Sequence, residues 1–554
     1  MPIRLAERAS SAYSYPLLIK QLLHTPLATA PEQEIVYRNV GRYTYLTLRA
    51  RIARLAGALA SVGVEPGTTV AVMDWDSHRY LECFFAIPMM GAVLQTVNVR
   101  LTAEQIAYTL RHAGAKAILV HRDFMALLAG LREQLPELKV VIRIDDSPAA
   151  VEHPSWAEHE YEALLNSSSD EFDFCDFDEN AIATTFYTTG TTGDPKGVCF
   201  SHRQIVLHTL AVMSASASAA YGQSFRHGDV YMPLTPMFHV HAWGNPYVAT
   251  VLGVKQVYPG RYAADELLDW RAREGVTFSH CVPTVLQMLL NAAAIRKCDL
   301  RGWKLCIGGS ALPVGLAHQA LEVGIDVYAG YGMSETGPVL AISRLLDPPG
   351  SVPLREEIER RCSAGLPIPL VDLRLVDANG NEVSKGGRSS GEIVVRAPWA
   401  TASYVGNAQA SEQLWRGGFL HTQDVARIDE AGYLQITDRL KDVIKTGGEW
   451  ISSLQLENLI STHPAVAEVA VIGVPDTQWG ERPLALVVPR PEARERLTVE
   501  QIRAHITAAV AAGHIARFAV PDRVIFVDAL AHTSVGKLNK RLLREQYARS
   551  GNAA

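Results

Sequence analysis

Short apolar runs alternate with helix-like stretches along the first 150 residues. TVAVMD (69–74) reads as a short buried strand; a helical stretch and the apolar GAVLQTV (91–97) follow, and KAILV (116–120) and KVVIRI (139–144) are further strands. Leu48, Ile52, Leu55, Leu59 and Val62 fall on one helical face ahead of them. Strands that are apolar throughout must be covered on both faces, and helices returned between parallel strands do that. The rhythm therefore commits the chain to α/β architecture, and it continues from 181 to about 345.

Between 365 and 437 the texture changes. VDLRLVD, GEIVVRA and GYLQIT are short strands separated by DANGNE, KGGRSSG and DEAG, a β-rich unit with turn punctuation. After about 440 a new α/β unit begins. VAEVAVIGVP (466–475) and PLALVVP (483–489) read as strands, and Thr498 with Gln501 forms a capping box for the helix carrying Ile502, Ile506 and Val510. The polar, acidic stretch 166–180 reads as a solvated surface linker. The main boundary falls near Asp438–Lys441.

Composition limits the function. A length of 554 residues allows several cores, and 48% hydrophobic with 20% charged residues excludes a largely disordered chain. A net charge of -6, from 52 basic and 58 acidic residues, argues against a general nucleic-acid binder. The seven cysteines form no C-x-x-C pair, which suggests a reduced, cytoplasmic protein without a thiolate metal site. The start shows no secretory signal, and no apolar run approaches the length of an integral membrane segment.

Five segments carry chemistry. Tyr187 to Gly197, YTTGTTGDPKG, follows the strand AIATTF. Its glycines can expose backbone N–H groups as an anion nest, its threonines add neutral donors, and Lys196 adds charge. That suits a polyphosphate, but Gly197 after Lys196 departs from a Walker A loop. In YAGYGMSETG (328–337) an aromatic beside glycine can stack on a base, and Glu335 is a candidate hard ligand for Mg²⁺. Asp424 in GGFLHTQDVARID (417–429) can accept from two ribose hydroxyls. DRLKDVIKTGGEWIS (438–452) is a basic turn with paired glycines, and TSVGKLNK (533–540) places Lys537 in a Gly-containing loop.

In this order and spacing the five segments resemble the acyl-adenylate-forming (AMP-binding) superfamily from about residue 30 to 547. PMFHVHAWGNPY (236–247), GLPIPLVDLRLVD (365–377) and DRLKDVIKTGGEWISS (438–453) are similar to medium- and long-chain fatty-acyl-CoA synthetases. The resemblance implies a large N-terminal domain, 1–437, of doubly wound α/β sheets with a β-rich subdomain at about 365–437. It further implies a hinge at 438–442 and a small mobile C-terminal α+β domain, 443–554. Thr188, Thr189, Gly190, Thr191, Thr192, Gly193 and Lys196 would hold the ATP phosphates, with Thr188 and Glu335 at Mg²⁺. Gly309, Ser310, Gly330 and Tyr331 would surround adenine, and Ser334 and Thr336 would sit near the α-phosphate. Asp424, assisted by Arg439, would bind ribose; Lys441 falls at the hinge; Lys445 and Trp450 would line the nucleotide in one domain orientation. Lys537 matches the catalytic lysine.

Two departures stand out. Gln423 replaces the glycine of the usual T-G-D and adds a side chain beside the ribose site; Ala531-His532 replaces a Pro-Arg pair. For such a family the expected substrates are a small-molecule carboxylic acid, ATP and coenzyme A. Gly447 and Gly448 would leave room for the pantetheine arm, and no carrier-protein domain follows residue 554, which favours free CoA. The acyl pocket would involve 236–247 with Trp243 as a gate, His239 near the carboxylate, and Val282. No Asp or Glu stands between Asp229 and Asp265, which disfavours an amino-acid substrate. An aryl- or short-chain-acid ligase shares every nucleotide motif, and a non-catalytic nucleotide- or acyl-CoA-binding protein is the alternative of another class. The sequence leaves oligomeric state open, a homodimer included.

Overall fold

The computed structural model describes residues 3–146, 154–157, 159–188, 194–377, 379–386, 390–446, 449–511, 515, 517–532 and 538–547. Two large sheets, both mainly parallel, form the first unit. In the seven-stranded sheet Thr69–Met73 lies between Ala115–His121 and Val93–Thr96. Ile182–Tyr187 follows Val93–Thr96, and the antiparallel Gly197–Ser201 closes that edge. The nine-stranded sheet is centred on Phe278–Cys281, with Lys304–Ile307 and Asp326–Gly332 on one side and Val230–Pro233 and Lys255–Tyr258 on the other.

The sequence pattern explains the layers. Thr44 caps the helix Tyr45–Ser61 by accepting from the Thr47 N–H, and Leu48, Ile52, Leu55 and Leu59 face inward as their spacing requires. Every residue of the helix His78–Met89 is buried beneath it. Two features escaped the sequence reading: the strands Glu34–Tyr37 and Gly41–Thr44 precede the first expected one, and the stretch 166–180 is anchored. Phe174 is buried there, its carbonyl accepts from Lys20, and Glu179 accepts from the Leu17 N–H and pairs with Arg203 at 2.7 Å. Alternating apolar residues, not only acidic ones, fix this segment to the surface.

The β-rich unit is a four-stranded antiparallel sheet, Asp372–Val376, Gly391–Arg396, Leu420–Ile428 and Leu434–Arg439. The third strand was not expected. The smaller C-terminal unit is a five-stranded sheet with helices on both faces. Strand alternation divides its core: Val469, Val471, Ala485 and Val487 pack with Ile502 and Ile506, while Ala470, Ile472, Leu484 and Leu486 pack with Leu543 on the other face. The expected capping box is formed, Thr498 N–H donating to Gln501 at 2.9 Å and Gln501 N–H to Thr498 at 3.3 Å. Among the described residues no helix is long and apolar enough to cross a membrane, and all seven cysteines are free.

Candidate active site

Parallel strands of both large sheets end at one crevice, where α/β sheets place their ligands. The phosphate side begins after Ile182–Tyr187. The Thr188 N–H donates to the Lys196 carbonyl at 2.9 Å, so these residues close the base of the loop. Thr189, Gly190, Thr191, Thr192 and Gly193 lie outside the described residues. Lys196 is exposed, and its Nζ stands 4.6 Å from the centre of the Tyr404 ring. The Tyr404 hydroxyl donates to Glu335 Oε1 at 2.6 Å, and the Glu335 carbonyl accepts from the Thr401 N–H at 2.8 Å. Burial, then the charge of Glu335, pushes the Tyr404 phenol up, which keeps it a donor. Sequence reading missed Tyr404, because TASY (401–404) has no spacing that marks it.

Among the described residues no group of three His, Cys, Asp or Glu could cage a metal. The single buried carboxylate of Glu335 fits Mg²⁺ nonetheless, since that ion takes one or two carboxylates and completes its shell with water and substrate phosphates.

The nucleoside side is built on Asp326–Gly332 and Leu420–Ile428. The Tyr331 hydroxyl donates to Asp424 Oδ2 at 2.9 Å, and Arg439 Nε lies 3.3 Å from Asp424 Oδ1. Asp424 and Arg439 are paired across the sheet beside a bulge. Gln423 adopts φ 61°, a left-handed conformation that glycine enters freely and glutamine does not. Gly332 has no room for a Cβ, which would meet the Pro338 carbonyl at 1.7 Å. Gly309 and Gly330 line the crevice with Tyr331 and Ser334. Ser310 is exposed beyond them. Thr336 is fully buried; its Oγ1 accepts from the Met333 N–H at 3.1 Å and lies 2.5 Å from the Pro338 carbonyl. Its hydroxyl therefore serves the turn that presents Ser334 and Glu335.

From Gly309 and Ser334 a cavity of about 60 Å³ runs inward past His239 and Trp243. Val212, Phe278, Cys306, Tyr328, Val339 and Ile342 line its far part, and no Asp, Glu, Lys or Arg is among its lining residues. The Trp243 ring crosses the floor against Gly308, where a Cβ would stand 2.8 Å from Trp Cη2. Four successive residues, Val240, His241, Ala242 and Trp243, have φ between 48° and 59°. One left-handed turn of non-glycine residues costs about 1–2 kcal/mol per residue. Burial pays for it here: His241 packs among Phe84, Phe186 and Tyr247, and its Nε2 is 2.7 Å from the Thr184 hydroxyl. Burial holds the His241 imidazole down at about 3.

Other expected residues lie elsewhere. Val282 caps the helix Pro283–Arg296 and is not in the cavity wall. Lys445 is exposed on Ile444–Thr446, its N–H donating to Glu481 at 2.9 Å. Burial, then Arg439, lowers the Lys441 ammonium. Lys537, Gly447, Gly448 and the Trp450 side chain lie outside the described residues.

The base of the Thr188–Lys196 loop, the Tyr331–Asp424–Arg439 cluster and an uncharged pocket meet at one crevice, an arrangement suited to a nucleotide-dependent enzyme. The comparisons agree. The chain matches the AMP-binding enzyme family over residues 23–405 and the AMP-binding enzyme C-terminal domain over residues 455–537. It is 41% identical over 524 residues to a long-chain-fatty-acid–CoA ligase of Thermus thermophilus, covering 93% of each chain. It is 36% identical over 542 residues to a 3-methylmercaptopropionyl-CoA ligase of Ruegeria lacuscaerulensis, covering 96% of this chain and 97% of that one. Its fold matches the crystal structure of the anthranilate CoA ligase AuaEII in complex with anthranoyl-AMP, with a TM-score of 0.83 and 24% identity over 97% of this chain and 99% of the other. The chain belongs to the AMP-binding enzyme family, and it is an acid–thiol ligase.

Proposed function

We propose that the enzyme activates a medium- or long-chain fatty acid in two steps. The acid's carboxylate oxygen attacks the ATP α-phosphorus and expels pyrophosphate; the CoA sulfur then attacks the acyl carbonyl, its thiol proton leaves, and AMP departs. Two anions meet in the first step, so positioning and charge neutralisation carry it. Lys196 and Lys537 would supply positive charge, and Asp424 with Tyr331 and Arg439 would seat the ribose. Glu335, with Thr188, would hold Mg²⁺, which when bound neutralises phosphate charge. Residues 438–442 would be the pivot between the two units, and Gly447 and Gly448 would border the CoA path. The free cysteines suit a reducing, cytoplasmic setting.

The uncharged lining of the inner cavity is the observation that carries the choice of acid. Its present volume of about 60 Å³ is roughly the share of two waters in the liquid. A long chain would need Trp243 to leave Gly308 and give up part of the packing that holds its turn. The same volume, with aromatic walls at Trp243, Phe278 and Tyr328, favours a second reading, a short or aryl acid bound without movement. A panel of C2–C18 and aromatic acids scored for CoA-dependent AMP release decides between them. Activity peaking on aliphatic acids of eight or more carbons supports the first reading; activity confined to short or aromatic acids replaces it with the second.

A further inference from the structure

The loop that opens the acid pocket is held from the opposite sheet. Pro236–His239 leaves the nine-stranded sheet just after Val230–Pro233, and the His239 N–H folds back to the Pro236 carbonyl at 2.9 Å. Three groups of the seven-stranded sheet grip it. The Met237 N–H donates to Asp76 Oδ1 at 2.6 Å, the Thr96 hydroxyl donates to the Phe238 carbonyl at 2.9 Å, and the Arg100 guanidinium lies 5.9 Å from the Phe238 ring. The Asp76 carbonyl in turn accepts from the Gly260 N–H at 2.9 Å. The loop then enters the left-handed turn that ends in Trp243. The pocket residues His239, Val240 and Trp243 hang from this grip.

Asp76 is the unusual member. An amide or hydroxyl could accept one backbone N–H, yet a carboxylate that is 6% exposed does it, at a cost in desolvation. Buried ionisable groups kept beside a site are candidates for function. Burial pushes this carboxyl up to about 7, with Asp74 adding to the push and the Met237 N–H and Arg100 opposing it. The phenols of Tyr80, Tyr231, Tyr258 and Tyr262 also feel its charge, and all are raised by burial and so neutral.

We propose that Asp76 is a positioning residue for the acid site, fixing the His239–Trp243 wall through the Met237 N–H and doing so more firmly when ionised than when protonated. This rests on the reading of that pocket as the acid's. An ionised acceptor makes the shorter, stronger hydrogen bond, and protonation weakens it about twofold in energy without breaking it.

The test is the pH profile of KM for the acid and of kcat, in the parent and in Asp76→Asn, which keeps the size and the acceptor oxygen but does not titrate. In the parent, KM for the acid falls about fivefold as pH rises through the Asp76 midpoint, while KM for ATP shows no such step. In Asp76→Asn the step is gone and KM stays at the high, low-pH value. A variant that keeps the parent's step and KM overturns the proposal and leaves Asp76 a structural residue. If Asp76→Asn does not fold, calorimetry of acid binding to the parent, in buffers of different ionisation enthalpy, replaces it. Acid binding should release a fraction of a proton near pH 7 and none near pH 9; no release at either pH overturns the proposal. Turnover separates the two readings. Acids that turn over with a flat parent KM sink this proposal and spare the ligase; no AMP release with any acid removes both.

Discussion

Gln423 carries the clearest conflict between residue and backbone. Its N–H donates to Glu392 at 3.1 Å and its carbonyl accepts from the Leu440 N–H at 2.9 Å, so the strand holds it at φ 61° whatever its side chain prefers. Non-glycine residues in this region typically cost 1–3 kcal/mol. Gln423→Gly should therefore stabilise the protein by about 1 kcal/mol, part of the relieved strain being lost to the freer unfolded chain. Urea unfolding measures it, and a fall in the midpoint contradicts the strain. The departure from T-G-D was legible in the sequence; the strain was not, because only the Asp424 bulge forces the conformation. Glu335 was legible as a motif, whereas its partner Tyr404 came from a segment with no motif at all. Glu335→Gln keeps the size and the acceptor for the Tyr404 hydroxyl but removes the charge. Calorimetry of ATP binding across a Mg²⁺ series should show a raised Mg²⁺ requirement with the fold intact; an unchanged dependence removes Glu335 from the metal site.

Elements made of unbroken apolar runs were readable, because burial on both faces leaves no other pattern. Leu420–Ile428 was not, since Thr422, Gln423 and Asp424 interrupt its alternation where it bulges into the site. Nor was the left-handed turn at 240–243, whose residues have no local preference for it and are held by tertiary packing alone. That packing has a pH consequence. His202, His208, His241 and His280 are buried around this region, and burial lowers them to about 4, 3, 3 and 3. All four use a ring nitrogen as acceptor or partner: His202 Nδ1 from the Ile19 N–H, His208 Nε2 from the Val339 N–H, His241 Nε2 with the Thr184 hydroxyl, and His280 Nε2 with the Tyr231 hydroxyl. Each folded value is depressed below the unfolded 6.5, so the unfolded chain binds more protons between the two. The histidines' contribution should be full above pH 6.5 and fall as pH drops towards 4, each losing about 1.4 kcal/mol per pH unit well below 6.5; the raised Asp76 carboxyl opposes this by about one group's share below pH 7, so four histidines still outweigh it. Urea midpoints at pH 7.5 and 5.5 check this, and His208→Gln should flatten the slope by about one histidine's share; equal midpoints for the parent at both values contradict it.

At the scale of the whole molecule, motif order was enough to divide the chain into two units, but the contacts between them needed the structure. The Asp438 carboxylate accepts from the N–H and hydroxyl of Ser453, which within the second unit also accepts from Lys540 at 2.7 Å, and Asp442 pairs with Arg544 at 2.8 Å. Asp438 still belongs to the strand Leu434–Arg439 of the first unit, so anchors to the second unit stand on both sides of Lys441. A pivot there has to absorb a large φ/ψ change between two fixed points. Proline locks φ near −65° and confines the residue before it, Leu440, to extended conformations. Lys441→Pro should therefore trap one orientation. On the proposed reading adenylation would need only the orientation that brings Lys537 inward, whereas thioester formation would require leaving it, so the first half-reaction should survive better than the second. Single-turnover kinetics of each half-reaction, with circular dichroism confirming the fold, makes the comparison. If the variant forms acyl-CoA from supplied acyl-adenylate at the parent's rate, the pivot lies elsewhere along the strand that ends at Arg439, or the second step proceeds without rotation.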